Sequence, residues 1–148
     1  MPSFIKIWIH LIWLTKDREK LIHKDIKYRL YDHIKVNAKN KKIYIDHING
    51  TDDHVHVLIS LKGEQSVSQV AFLIKGESSH WTNVNKLTRT KFEWQNEFIA
   101  LSVSESLLPK VREYIRNQEI HHKNRSFREE YEIFIKKYGF NHFKAKAD

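Results

Sequence analysis

The run Asp53-His54-Val55-His56-Val57-Leu58-Ile59-Ser60-Leu61 constrains the fold more than any other part of this chain. Its apolar, β-branched content reads as a buried strand. Strand side chains alternate between faces, so Val55, Val57, Ile59 and Leu61 point into a core. His54 and His56 then share the opposite face, about 7 Å apart along the strand. Two imidazoles side by side on one strand face can ligate a single divalent metal. A histidine on a strand is also commonly structural, and eight other histidines are scattered through the chain. Chance pairs therefore arise, as at His121-His122, whose rings would diverge on a helix.

The remaining pattern places this strand in a sheet. Residues 4–14 read as a central strand with Ile5, Ile7, Ile9, Leu11 and Trp13 on one face. Asp17-Arg18-Glu19-Lys20 reads as a turn. Ile22, Ile26, Leu30 and Ile34 recur every fourth residue and predict an amphipathic helix to about Asn40. Ile43–Ile48 reads as a second strand, and Asn49-Gly50 as a hairpin turn before the histidine strand. Ser66 and Gln69 form a capping box for a helix striped by Val67, Val70, Ala71 and Ile74 and running toward Trp81 and Val84. Phe92–Val103 is extended, with a fourth strand near its end. Ser104 or Ser106 is placed to cap a helix with Pro109 in its first turn. Ser126 and Glu129 form another capping box. Phe127, Tyr131, Phe134, Ile135 and Tyr138 then make an aromatic stripe stopped by Gly139.

Four strands with helices inserted in this order predict an α+β fold with a ferredoxin-like, RRM-like four-stranded antiparallel sheet. The first two helices would cover the face taking Ile5, Ile7, Val55 and Val57. The helix beginning near Pro109 would cover the histidine face. The size predicts a single domain over residues 1–148. Lysine and arginine leave a formal net charge of +8, which favours a polyanionic partner such as nucleic acid. The absence of cysteine excludes disulfide frameworks and Cys zinc sites, and fits a cytoplasmic protein. Residues 4–14 are too short to span a bilayer and lack the flanks of a signal peptide, so no membrane segment is expected.

Tyr114 and Gln118 in Glu113-Tyr114-Ile115-Arg116-Asn117-Gln118 lie four apart, on one face if the segment is helical. On spacing alone Tyr114 reads as a core aromatic beside Val111 and Ile115. Taken with the histidine strand, however, this helical Tyr-x-x-x-Gln resembles the single-tyrosine HUH transposases of small bacterial insertion sequences, the IS200-like family. The likeness continues in Trp13-Leu14-Thr15-Lys16-Asp17-Arg18, in Lys75-Gly76-Glu77-Ser78-Ser79, and from Trp94-Gln95 through Ser102-Val103-Ser104. It covers roughly residues 4–122. The chain departs from the pattern at Glu97 and Ile99, where the family usually has glycine.

The resemblance implies a transposase that cleaves and rejoins single-stranded DNA at hairpin-bearing element ends. Tyr114 would be the nucleophile, and His54, His56 and Gln118 would hold Mg²⁺ or Mn²⁺. The tyrosine would form a 5′-phosphotyrosine link, helped by the metal and by cations such as Lys110, Arg112 and Arg116. It further implies a homodimer in which the tyrosine helix of one subunit completes the metal site of the other. Lys39, Lys41 and Lys42, and Lys86, Arg89 and Lys91, are candidate phosphate contacts, and equally solvated loops. Trp8, Trp94 and Trp81 are candidate stacking partners for unpaired bases. Competing readings are a domesticated relative that cuts repeated hairpins without moving an element, and a non-catalytic single-stranded nucleic-acid-binding module. The Gly-Phe signature usual in that last class is absent.

Overall fold

In the computed structural model, which describes residues 2–120 and 126–137, the alternation at 53–61 becomes a central strand. The elements are β1 (Ile7–Leu14), a 3-10 turn (Lys16–Arg18), α1 (Lys24–Asn40), β2 (Tyr44–Gly50) and β3 (His54–Leu61). They continue as α2 (Val67–Val84), β4 (Ile99–Val103), a 3-10 turn (Glu105–Leu107), α3 (Leu108–Arg116) and α4 (Phe127–Lys137). The chain divides into two units, Met1–Arg116 and Asn117–Asp148.

In the first unit the four strands form one antiparallel sheet in the order β2-β3-β1-β4, the predicted ferredoxin-like arrangement. Opposed residues share a face, so the pairings Leu11 with Val57 and Ile12 with His56 assign both sides. Leu11, Trp13, Val55 and Val57 are fully buried against Leu30, Tyr31 and Ile34 of α1 and Val70 and Ile74 of α2. The same core takes Phe92 and Trp94 from the segment before β4. On the other face Leu58 and Val103 bury against Leu108 and Ile115 of α3, so the predicted helix does cover the histidine side.

Ile5 and Ile7 do not join the core. They are 54% and 38% exposed, because β1 begins only at Ile7 and they lie at the margin of the sheet. The Ser66 hydroxyl accepts from the Gln69 amide, as its capping box predicts. No such hydroxyl cap forms at Ser104. A 3-10 turn intervenes there, and the Ser104 and Ser106 hydroxyls bond each other. In the second unit Ser126 Oγ accepts from the Glu129 amide at the start of α4. His121, His122, Tyr138 and Gly139 lie outside the described residues, as do the side chains of Tyr131, Phe134 and Ile135. Among the described residues no helix is long and apolar enough to cross a membrane.

Asn49-Gly50 is not the turn. Both residues belong to β2, Gly50 pairs with Val55, and Thr51–Asp53 turns the chain. Gly50 is required by close approach: a Cβ there would collide with the His54 carbonyl oxygen. The two backbones are pressed together where β3 begins. Gly50→Ala should therefore destabilise the fold by about 1–3 kcal/mol, the usual cost of overpacking. Denaturant titration checks this; an alanine variant as stable as the parent would show that the strands part freely at this point.

Candidate active site

His54 and His56 are wholly buried, and their ring centroids stand 5.2 Å apart. Each ring has its Nδ1 engaged. His54 Nδ1 lies 2.8 Å from Asp53 Oδ1 and 3.0 Å from Thr51 Oγ1. His56 Nδ1 lies 2.8 Å from Nε2 of His10, a buried β1 histidine on the same face. With Nδ1 occupied on both rings, Nε2 is the atom each would present to a metal. A carboxylate behind a ligand imidazole is the usual support for metal-binding histidines. The donor set thus fits a divalent cation.

The support behind His54 begins in the turn after β1. Thr15 donates from its amide to the Asp53 carbonyl at 2.9 Å and from its hydroxyl at 3.2 Å. Asp17 and Arg18 both adopt left-handed backbone, with φ of 57° and 56°, uncommon for residues other than glycine. This turn brings the Arg18 guanidinium to 3.7 Å from Asp53 Oδ2. Burial alone would raise the Asp53 carboxyl. The hydrogen bond and charge of His54, the charge of Arg18 and the Thr51 hydroxyl outweigh it and hold the group ionised below the ordinary range. His10 shifts well below the ordinary histidine value, first through burial and then through its neighbour His56.

Tyr114 of α3 is half-buried on this same face. Its ring meets His56 edge-on at 5.6 Å between centroids, and His10 at 6.3 Å. The helix is held by a polar latch to β2. Arg112 donates from Nε and Nη2 to the two Asp46 oxygens, both at 2.9 Å. A register shift between Ile45 and His47 marks a bulge at Asp46. Of the cations expected near the tyrosine, Arg112 is thus committed to this pair, Arg116 stands 3.5 Å from His47 Nε2, and Lys110 is exposed.

Gln118 corrects one expectation. It does not share an unbroken helix with Tyr114, because α3 ends at Arg116 and Asn117 is a turn residue. At that end Asn49 Nδ2 of β2 donates to the Arg116 carbonyl at 3.0 Å, satisfying a helix-terminal acceptor. Gln118 belongs to the second unit, where it is buried and its Nε2 donates to Glu130 Oε1 at 3.3 Å. Sequence reading missed His10, Asp53, Asp46 and Asn49. The one available signal was His10 itself, a polar residue out of phase with Ile9, Leu11 and Trp13.

The tryptophans divide differently from expectation. Trp94 is a core residue whose Nε1 donates to Ser78 Oγ at 2.9 Å, so it is not a platform for bases. Trp81 stacks on His33 at 4.0 Å. Trp8 is half-buried beneath Arg112, at 5.8 Å. Lys39, Lys41, Lys42, Lys86, Arg89 and Lys91 are all exposed. An open cleft of about 620 Å³, walled by Phe72, Lys75 and Asn96 among others, is lined by none of His10, His54, His56 and Tyr114. Size alone does not mark the chemistry here.

Comparison with known proteins agrees with this arrangement. A family model described as "Transposase IS200 like" matches residues 3–118, and the chain belongs to that family of transposases, enzymes that cut and rejoin DNA. It is 26% identical over 115 residues to the ISDra2 transposase TnpA of Deinococcus radiodurans, covering 74% of this chain and 81% of that one. Among solved structures, its fold is similar to that of a Deinococcus radiodurans R1 protein described as a transposase. That match has a TM-score of 0.65 and 22% identity, over 80% of this chain and 95% of the other. It is also similar to a REP-associated tyrosine transposase bound to a REP hairpin, with a TM-score of 0.60 and 19% identity, over 82% and 72% of the two chains.

The Arg112–Asp46 latch makes a pH-dependent prediction. Burial would raise the Asp46 carboxyl, but hydrogen bonds from Arg112 and His47 hold it below its ordinary value. A depressed carboxyl contributes stability that is present above its unfolded value, near 3.9, and is lost as pH falls through the folded one. Arg112→Leu should cost about 1–3 kcal/mol at neutral pH, the range for a hydrogen-bonded charge left unpartnered. That deficit should begin to shrink below about pH 4 and vanish only as pH falls through the lower value at which Asp46 protonates in the wild-type fold. Urea titrations across this range read it, and a deficit constant with pH would remove Asp46 from the account.

Proposed function

We propose that this transposase cleaves and rejoins single-stranded DNA at hairpin-bearing element ends, with Tyr114 as the nucleophile. The observation that carries the reading is Tyr114 edge-on to His56, on the face where both strand histidines have Nδ1 engaged. His54 and His56 would hold Mg²⁺ or Mn²⁺, and Gln118 would add an amide oxygen as third ligand. The bound cation would supply Lewis-acid polarisation and orientation of the scissile phosphate.

Tyr114 does the covalent work. A phenol with an ordinary pKa of about 10 is a weak nucleophile until its proton is drawn off. Attack of its oxygen on phosphorus forms the 5′-phosphotyrosine bond. The bond from phosphorus to the 3′ oxygen breaks, and that oxygen leaves as a hydroxyl after taking up a proton. The reverse attack by another 3′-hydroxyl rejoins a strand and returns the phenol, so no nucleotide cofactor is consumed. The relative bound to a REP hairpin supports hairpin DNA as the substrate form. The exposed lysines and arginines of the two basic runs are suited to its phosphates. The single catalytic domain would comprise residues 1–148 and act in the cytoplasm.

The test is covalent capture on single-stranded element-end DNA with Mn²⁺. Tyr114→Phe should abolish the protein–DNA adduct and leave folding and hairpin binding intact. His54→Ala and His56→Ala should each remove metal-dependent cleavage. Gln118→Ala should lower cleavage and raise the Mn²⁺ requirement without erasing either. A full adduct yield from the phenylalanine variant would end the assignment of the nucleophile.

We also propose a homodimer with active sites shared between subunits. Here α3 rests on the sheet of its own chain, and an exchange of identical helices would preserve the same contacts, including the Arg112–Asp46 latch. Residues 104–107 would be the connection that redirects. Mixing Tyr114→Phe subunits with His54→Ala subunits should restore cleavage, since one composite site is then intact. If no activity returns, each chain uses its own tyrosine.

A further inference from the structure

Buried polar side chains need partners, and His10 is 2% exposed in a strand otherwise built of isoleucine, leucine and tryptophan. Its register explains its reach. His10 stands opposite Leu58 and Ile12 opposite His56, so His10 is diagonal to His56 on one face of an antiparallel pair. Diagonal neighbours lie within range of long side chains. The two rings use that range, with His10 Nε2 at 2.8 Å from His56 Nδ1 and ring centroids 5.1 Å apart.

We infer that His10 is a positioning residue for the metal site, acting on His56 as Asp53 acts on His54. The inference rests on the reading of His56 as a metal ligand. A neutral imidazole that ligates through Nε2 carries its proton on Nδ1. His56 Nδ1–H must then donate, and His10 Nε2 must accept, which places the proton of His10 on its own Nδ1. The acceptor turns the His56 ring and strengthens Nε2 as a donor to a cation. The two ligand rings are unequally supported: His54 leans on a carboxylate, His56 on a neutral ring. The weaker acceptor adds no second buried negative charge beside Asp53.

Two substitutions separate acceptance from space filling. His10→Phe keeps a flat ring and removes the acceptor. His10→Gln places an amide oxygen near the position of Nε2. Calorimetric titration of the full chain with Mn²⁺ alone should show a dissociation constant raised about 10–100-fold in the phenylalanine variant, the usual effect of losing such a partner. The glutamine variant should recover most of that loss. Melting temperatures without metal should not follow the same order. Long-range ¹H–¹⁵N spectra of the wild-type chain should show His56 protonated at Nδ1 and His10 unprotonated at Nε2. Unchanged Mn²⁺ affinity in His10→Phe, equal weakening in both variants, or the opposite pair of tautomers would each overturn the role. If the wild-type chain binds Mn²⁺ no better than His56→Ala, the metal reading itself has failed, which is a different result.

Discussion

The antiparallel register between β1 and β3 is the constraint on which everything else rests. Side chains alternate with a period of two, so the pairing of Ile12 with His56 decides both faces at once. Leu11, Trp13, Val55 and Val57 go to the helices α1 and α2, while His10, His54 and His56 go toward α3. A slip by one residue would put the histidines into the hydrocarbon core and the valines under the tyrosine. The register is guarded at its end by Gly50, whose missing side chain lets β2 touch the start of β3. It is guarded again by Thr15, which ties the end of β1 to the Asp53 carbonyl. Packing and chemistry are therefore one specification.

The site is supported from behind by residues that belong to other elements. Arg18 reaches Asp53 only because two consecutive residues accept left-handed backbone. Strain of this kind costs on the order of 1–3 kcal/mol per residue and persists where surrounding structure enforces it. Here the enforcement includes the Lys16 amide bonded to the Glu93 carbonyl and the Gln95 amide bonded to the Leu14 carbonyl. The segment before β4 thus braces the turn that steadies the histidine strand. That gives a physical meaning to two of the family-like motifs, Trp13–Arg18 and Trp94-Gln95, which lie far apart in sequence and touch in the fold.

What the sequence made legible was whatever depends on local periodicity. The faces of β3, the stripe of α1, the Ser66 cap and the order of the strands all follow from spacing. What it hid depends on contacts between distant segments. Asn49-Gly50 has the composition of a turn, yet its glycine answers to a backbone collision with His54. The apparent helix from Tyr114 to Gln118 stops at Arg116, whose carbonyl is capped by an asparagine 67 residues away. Position i+2 from His10 is Ile12, so the local pattern does not set this histidine apart from an ordinary buried one. Trp94 has the residue type of a stacking surface, but it is buried against Trp13 and Phe92 in the core. Strand parity puts His54 and His56 on one face, whereas Tyr114 reads as a core aromatic on spacing alone and is singled out only by the family resemblance.

The bulge at Asp46 has a consequence beyond the tyrosine helix. β2 is an edge strand, and an unbroken edge offers a row of backbone groups on which a foreign strand can template. The extra residue interrupts that row and twists the margin of the sheet, while releasing the Asp46 carboxylate toward Arg112. One inserted residue therefore does two jobs. It seats a helix on the inner part of the sheet, and it spoils the outer border as a seed for aggregation.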